Sequence, residues 1–183
     1  MRVIVGITGA SGVIYGIRLL EELRKTDLET HLVISKWGEE TIRKETSYTV
    51  QQVKSLADVC HERTDLAAAV SSGSFKNEGM MVVPCSMKTL SGIANGYSED
   101  LLVRAADVTI KEKRKLVLLT RETPLNVIHL ENMLKLARIG VTIMPPAPAF
   151  YTHPQTLEEI VNQTVGRVLD QFGIEMTTFK RWS

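Results

Sequence analysis

Short, unbroken apolar runs alternate along this chain with segments whose apolar residues recur at helical spacing. The runs Arg2–Ile7, Thr30–Ile34, Met80–Val83, Leu116–Leu119 and Val141–Met144 read as β-strands. After them, Ile14–Arg24, Gly38–Glu45, Ser86–Ala94, Leu101–Lys113, Val127–Ala137 and Leu157–Phe172 carry a helical period. Strands that are apolar throughout, rather than at alternate positions, are buried on both faces, as parallel sheets are beneath crossover helices. The pattern predicts an α/β fold of Rossmann-like or flavodoxin-like type: a parallel sheet between two helical layers. Ligands of such sheets lie beyond the carboxyl ends of the strands, so the residues just past each run are the informative ones.

Composition narrows this picture without redirecting it. The 183 residues, 44% of them hydrophobic, suit one domain spanning 1–183 with a substantial core. With 22 Lys and Arg against 21 Asp and Glu, net charge gives no global attraction for nucleic acid or an anionic membrane. Any anion site must therefore be local. No apolar run approaches the roughly 20 residues of a membrane span. The opening "MRVIVGITGASG" reads as strand and loop rather than a leader. Two cysteines, Cys60 and Cys85, form neither a disulfide framework nor a metal spacing, so a cytoplasmic protein without a metal is expected.

Three strand ends stand out. In "GITGASG" the glycines fall at Gly6, Gly9 and Gly12, not at dinucleotide spacing, and the second strand ends in Ser35-Lys36 rather than an acid for a ribose. Both features argue against NAD. Two readings of the loop stand side by side: hydroxyls of Thr8 and Ser11 and free N–H groups around a phosphate, or a tight turn with Ser11 as helix cap. In "VVPCSMKTLSG", Pro84 is expected to stop the strand, and Ser86, Lys88 and Thr89 to open a helix with hydroxyls and a cation. Cys85 in that turn reads as a small buried residue rather than a nucleophile.

The densest charged stretch is 103–136. Arg104 and Lys111, seven apart, share a helix face, and Arg121-Glu122 follow the fourth strand directly. Lys113, Arg114 and Lys115 read as a solvated helix end, His129 and Glu131 as helix surface or interface, and no histidine as catalytic. Proline-rich "MPPAPAFYTHPQT" fixes Tyr151 after a rigid turn, and Arg167 falls within the last helix. The irregular segment 47–79 reads as a surface excursion ahead of a mobile loop over a site. The tail "FKRWS" reads as a lid, a subunit contact or a frayed end, in that order.

Taken together, "TGASG", "ISKW", "PCSMKTLSGIANG", "RAADVTIKE", "RETPLNVIHLENMLKL" and "PPAPAFYTHP" closely resemble the UbiX/Pad1 family of flavin prenyltransferases over nearly the whole chain. The small-subunit type encoded beside phenolic-acid decarboxylases is especially similar. The resemblance implies transfer of a dimethylallyl group from dimethylallyl phosphate to N5 and C6 of reduced FMN, the prenylated product serving a UbiD-type decarboxylase. It implies that Gly9, Ala10, Ser11, Ser35, Ser86, Met87, Lys88, Thr89 and Arg121 hold FMN. It further implies that Arg104, Lys111, Tyr151 and Arg167 hold the prenyl phosphate, while Ser11, Glu45 and Glu122 act in catalysis. A homododecamer with sites between subunits follows from the same resemblance. Leu66 stands where many relatives carry a tryptophan, which leaves Trp182 or a neighbouring subunit to supply aromatic cover. The rival readings are a flavin-dependent cysteine decarboxylase of the same fold, a non-enzymatic FMN carrier, and direct decarboxylation of an aromatic acid. The first carries a "PAMN" motif where this chain has "PCSM".

Overall fold

A computed structural model describes residues 1–177 and 179–181. In chain order it runs β1 (Arg2–Ile7), α1 (Val13–Leu23), β2 (Glu29–Ile34), α2 (Lys36–Glu45), α3 (Val50–Lys54) and β3 (Val59–His61). There follow β4 (Gly79–Cys85), α4 (Met87–Ala94), α5 (Leu101–Lys111), β5 (Lys115–Thr120), α6 (Val127–Arg138), β6 (Thr142–Ile143) and α7 (Leu157–Asp170). The described strands form one all-parallel sheet in the order β3-β2-β1-β4-β5-β6. The chain winds outward from β1 to β3, then returns to the middle and winds the other way from β4. The ends of β1 and β4 therefore part at the switch point, where this class of sheet opens a crevice.

Period-two alternation splits the apolar strand residues between two cores. Val3, Val5 and Ile7 of β1, with Met81, Val83, Val117 and Leu119, pack against α1 and α7 through Ile17, Leu20, Val165 and Val168. Ile4, Met80, Val82, Leu116 and Leu118 face the other way, onto Leu90, Leu102, Ala105 and Ala106 of α4 and α5. Both faces being covered explains why these runs read as continuous apolar sequence. The layers approach closely where side chains are absent: a Cβ on Gly16 of α1 would stand 2.3 Å from the Val83 carbonyl oxygen. α1 thus rests on the backbone of β4.

Several boundaries differ from the sequence reading. β4 continues through Pro84 to Cys85, with an irregular register against β5 between Val82 and Cys85. Pro84 lacks an N–H but its carbonyl still accepts, so the strand bends there without ending. α2 begins two residues earlier than its apolar pattern, because Ser35 caps it. The irregular segment holds α3, β3 and a 3₁₀ turn at Ala69–Ser71, all too short to show a period. At this edge His31 is buried, its two ring nitrogens bonded to Glu29 at 2.8 Å and His61 at 2.9 Å, which gives both histidines a structural explanation. α6 contrasts with the other helices: it buries Leu136, while Val127, Ile128, Leu130 and Leu134 are exposed.

Candidate active site

The ends of four neighbouring strands are laced together by backbone hydrogen bonds. Ser35 N–H donates to Ile7 O at 2.9 Å, Thr8 N–H to Pro84 O at 3.2 Å, and Arg121 N–H to Cys85 O at 3.2 Å. Each strand end runs directly into a helix or loop that starts at the crevice. Ser35 caps α2, accepting from Gly38 N–H at 3.0 Å, and Ser86 caps α4, accepting from Thr89 N–H at 3.3 Å. α1 is built differently. Its N-cap is Gly12, held at φ 96°, and no side chain caps it. Ser11 is therefore not the cap, and that alternative for the glycine loop falls away. Instead the Gly12 N–H donates to Glu45 Oε2 at 2.8 Å, which brings the end of α2 against the start of α1.

The glycine loop separates two cavities. The first, of about 800 Å³, is lined by Gly9, Ser35, Arg63, Ser86, Lys88 and Thr89, with the Trp37 ring on its wall. Two capped helix N-termini and three cations, counting Lys36, surround this space. Helix N-termini and guanidinium or ammonium groups favour an anion such as a mononucleotide phosphate. Trp37 is pressed against the loop so tightly that a Cβ on Gly9 would lie 2.4 Å from its Cβ. The second cavity, of about 760 Å³, brings together Ser11, Glu45 and Arg121 with Tyr15, Tyr48 and the apolar Ile160 of α7. Its wall is braced by Tyr48, whose hydroxyl donates to Glu21 at 2.7 Å, and by Arg18, paired with Glu21 and Glu158. Burial pushes the pKa of the Tyr15 phenol up, against the opposing charge of Arg121.

The structure gathers only part of the residue set read from the sequence. Gly9, Ser35, Ser86, Lys88 and Thr89 meet in the first cavity, and Ser11, Glu45 and Arg121 in the second. Ala10 is buried in the loop between them, and Met87 packs partly into the core. Lys88 is largely exposed and pairs with Glu99 at 3.1 Å. The remaining residues line neither cavity. Arg104 and Lys111 of α5 pair with Asp107 and Glu112, each at 2.7 Å. Arg167 pairs with Asp170 at 2.7 Å, a carboxylate also gripped by Arg181. Tyr151 sits half-exposed in the turn Phe150–Thr152, and Glu122 accepts from the neighbouring Thr123 N–H at 3.0 Å. Leu66 is exposed and lines neither cavity, and Trp182 lies outside the described residues.

Three readings are revised or extended. Thr8 is 1% exposed and its hydroxyl is turned inward, so it does not offer itself to a phosphate. Cys85 is fully buried, and desolvation drives its thiol far above the ordinary range, which leaves no thiolate for nucleophilic attack. The segment 47–79 also does more than cover surface, since it brings Arg63 and Thr64 to the first cavity. The sequence reading missed Arg63, Tyr15, Arg18, Glu21 and Tyr48. Of these, Tyr15 carried a signal, standing in the first turn of the helix that follows the glycine loop.

A doubly wound sheet with serine-capped helix starts and cations around its switch-point crevice defines a mononucleotide-binding α/β protein. A family model described as Flavoprotein matches residues 1–169. The flavin prenyltransferase UbiX of Escherichia coli (strain K12) is 56% identical, over 99% of this chain and 97% of that protein. The solved structure of a dodecameric FMN-dependent UbiX-like decarboxylase from Escherichia coli O157:H7 superposes with a TM-score of 0.99 at 56% identity, covering 100% of both chains. That of AnUbiX (PadA1), in complex with FMN and dimethylallyl pyrophosphate, gives 0.98 at 52% identity, covering 100% of this chain and 97% of that one. The chain belongs to the UbiX/Pad1 family of flavin prenyltransferases. The peptidyl-cysteine decarboxylase EpiD shares the fold alone, at 18% identity and a TM-score of 0.62 over 81% of this chain and 82% of that one. Among the described residues no helix is long and apolar enough to cross a membrane, and no cluster of three His, Cys, Asp or Glu side chains is placed to hold a metal ion.

Proposed function

We propose that this chain joins a dimethylallyl group, taken from dimethylallyl phosphate, to N5 and C6 of reduced FMN. The observation that carries the reading is the crevice between the Gly9 loop and the capped starts of α2 and α4, in a chain 56% identical to a flavin prenyltransferase over 99% of its length. Reduced FMN supplies the nucleophilic N5 and C6 positions there. Gly9, Ala10 and Ser11, Ser35, and Ser86 to Thr89 hold its phosphate and ribityl chain, and Arg121, just past β5, meets the flavin from the second cavity. The Ser35 hydroxyl uses a lone pair on Gly38, so its proton stays available to a phosphate oxygen.

Transfer breaks the allylic C–O bond, and the electron pair leaves with phosphate. Arg104, Lys111 and Arg167 balance the growing charge of that group, and Tyr151 donates a directed hydrogen bond. Ser11 passes a proton to the departing phosphate, in a network ordered by Glu122. The proton Ser11 passes on is the one N5 gives up as it takes the allylic carbon. Ring closure then adds C6 across the remaining C=C, a proton joining the inner alkene carbon while Glu45 accepts the one lost from C6. The apolar wall of the second cavity shelters the five-carbon group from water.

The four phosphate-binding residues are dispersed over the surface of one chain, each basic one paired with a nearby carboxylate. We assign them to the crevice of a neighbouring copy in a homo-oligomer, a dodecamer like the related Escherichia coli O157:H7 protein. The exposed apolar face of α6 supports such assembly. The product then serves a UbiD-type decarboxylase of aromatic acids. Two free cysteines, one of them exposed, fit the reducing cytoplasm.

The deciding experiment mixes the purified protein anaerobically with reduced FMN and dimethylallyl phosphate and weighs the extracted flavin. A gain of one dimethylallyl unit is expected. Bound but unchanged FMN, beside a working prenyltransferase control, would bring the flavin-carrier and decarboxylase readings to the front.

A further inference from the structure

The sequence offers the Thr8 hydroxyl to a phosphate, but the fold uses it elsewhere. Thr8 directly follows the last residue of β1, where the chain departs for the glycine loop. Its Oγ1 donates to Pro84 O at 2.7 Å and accepts from Ser86 N–H at 2.8 Å. With a donor and an acceptor bond made at 1% exposure, the hydroxyl is committed inside the protein.

The position of these bonds explains their use. β1 and β4 pair in parallel with Ile4 opposite Met80 and Gly6 opposite Val82. Thr8 N–H to Pro84 O, at 3.2 Å, is the last rung. In an unbroken parallel ladder the next rung would run from Ser86 N–H to the main-chain carbonyl of Thr8. Here the hydroxyl accepts that N–H instead. The two chains can therefore separate and open the crevice, one entering the Gly9 loop and the other α4, without leaving the Ser86 N–H buried and unpaired. Pro84 adds to the need, since it has no N–H with which to hold β4 in register.

The other links between adjacent strand ends, Ser35 to Ile7 and Arg121 to Cys85, join backbone to backbone. Among the described residues, the junction of the β1 and β4 loops is the one that rests on a threonine side chain. We propose that Thr8 is a positioning residue for the flavin site: its hydroxyl clasps the glycine loop to the Ser86 helix start and sets the spacing of the crevice between them. The inference rests on the assignment of that crevice to FMN.

The test compares Thr8→Val, which keeps the shape and removes both bonds, with Thr8→Ser, which keeps the hydroxyl. FMN affinity is measured by fluorescence quenching alongside the melting temperature. Thr8→Val is expected to weaken FMN binding roughly tenfold or more, and Thr8→Ser to restore it to within about twofold of the parent. A folded Thr8→Val protein that binds FMN like the parent overturns the proposal, as does a serine variant as weak as the valine one. Hydrogen exchange at the Ser86 amide of the unaltered protein decides the clasp without ligand or variant. Protection like that of the β4 amides is expected, and free exchange would overturn the proposal. An unaltered protein that ignores FMN while its Ser86 amide is protected would instead sink the flavin assignment and leave the clasp standing.

Discussion

The switch-point crevice and the outer surface of α5 and α7 carry the same kinds of residue and treat them differently. On the two sides of the glycine loop, Ser35, Ser86, Glu45 and Arg121 are fixed by strand ends and helix starts, through bonds to Ile7, Thr8, Gly12 and Cys85 from elements far apart in sequence. On the outer surface, Arg104, Lys111 and Arg167 are paired with acids no more than three residues away and meet no cavity wall of the two described. One region is assembled within a single chain from distant elements. The other is a set of surface cations in local ion pairs, which contribute little stability themselves. On the proposed assignment, the contrast divides the work: flavin binding falls to one chain and the leaving group to a second copy.

The sharpest way to test the single-chain region is Glu45→Gln. The amide oxygen can still accept from Gly12, so FMN binding is expected to hold while prenyl transfer falls on the order of a hundredfold or more. Normal turnover of this variant would remove Glu45 from the chemistry. The surface region is tested by Lys111→Ala, expected to raise the KM for dimethylallyl phosphate roughly ten- to a hundredfold with FMN affinity unchanged. Oligomers mixed from Glu45→Gln and Lys111→Ala subunits should regain activity that neither variant has alone. Mixed oligomers that form and stay inactive would place both residues in the same crevice and end the contrast. Leu130→Lys, on the exposed face of α6, is expected to reduce the assembled mass seen by light scattering and to abolish prenyl transfer ahead of FMN binding.

The smallest effect concerns Asp170. Hydrogen bonds from Arg181, and then from Arg167, hold its carboxyl below the usual range. A carboxylate whose folded value is depressed stabilises the fold at pH above its unfolded value and loses that contribution as pH falls through the folded value. Asp170→Asn should therefore cost about 1 kcal/mol or less near neutral pH, and nothing once the parent carboxylate is protonated, as read from paired melting curves across pH.

How much of this was legible follows from the length over which each signal is written. β1, β2, β4 and β5 each announce themselves by an apolar run, and the covered faces of the sheet follow from those runs being continuous. β3 has three residues and an exposed Cys60 at its centre, so no period marks it. The helix start at Ser86 was readable because capping is local chemistry, whereas the one at Ser35 lies two residues ahead of the apolar pattern. At Ser11 local spacing left cap and phosphate loop equally open, because Gly12 and the distant Glu45 decide it. Tyr48, Arg18 and Arg63 reach the cavities only through the packing of α1 on α7 and the fold of segment 47–79, which no local spacing encodes. The roles of Arg104, Lys111 and Arg167 came from family resemblance, since a single chain leaves them on its surface.

The contact of Gly16 with the Val83 carbonyl bears on how far this site can be reshaped. The seat beneath α1 is main chain against main chain, with no side chain to trim, and Gly9 against Trp37 leaves no room for one to be added. The second cavity is bounded by replaceable groups: Tyr15, Tyr48 and Ile160. A library aimed at longer or bulkier allylic donors should therefore vary those three positions and leave the glycines untouched, because the seat of α1 and the glycine loop is backbone packed without slack, while the second cavity is walled by side chains.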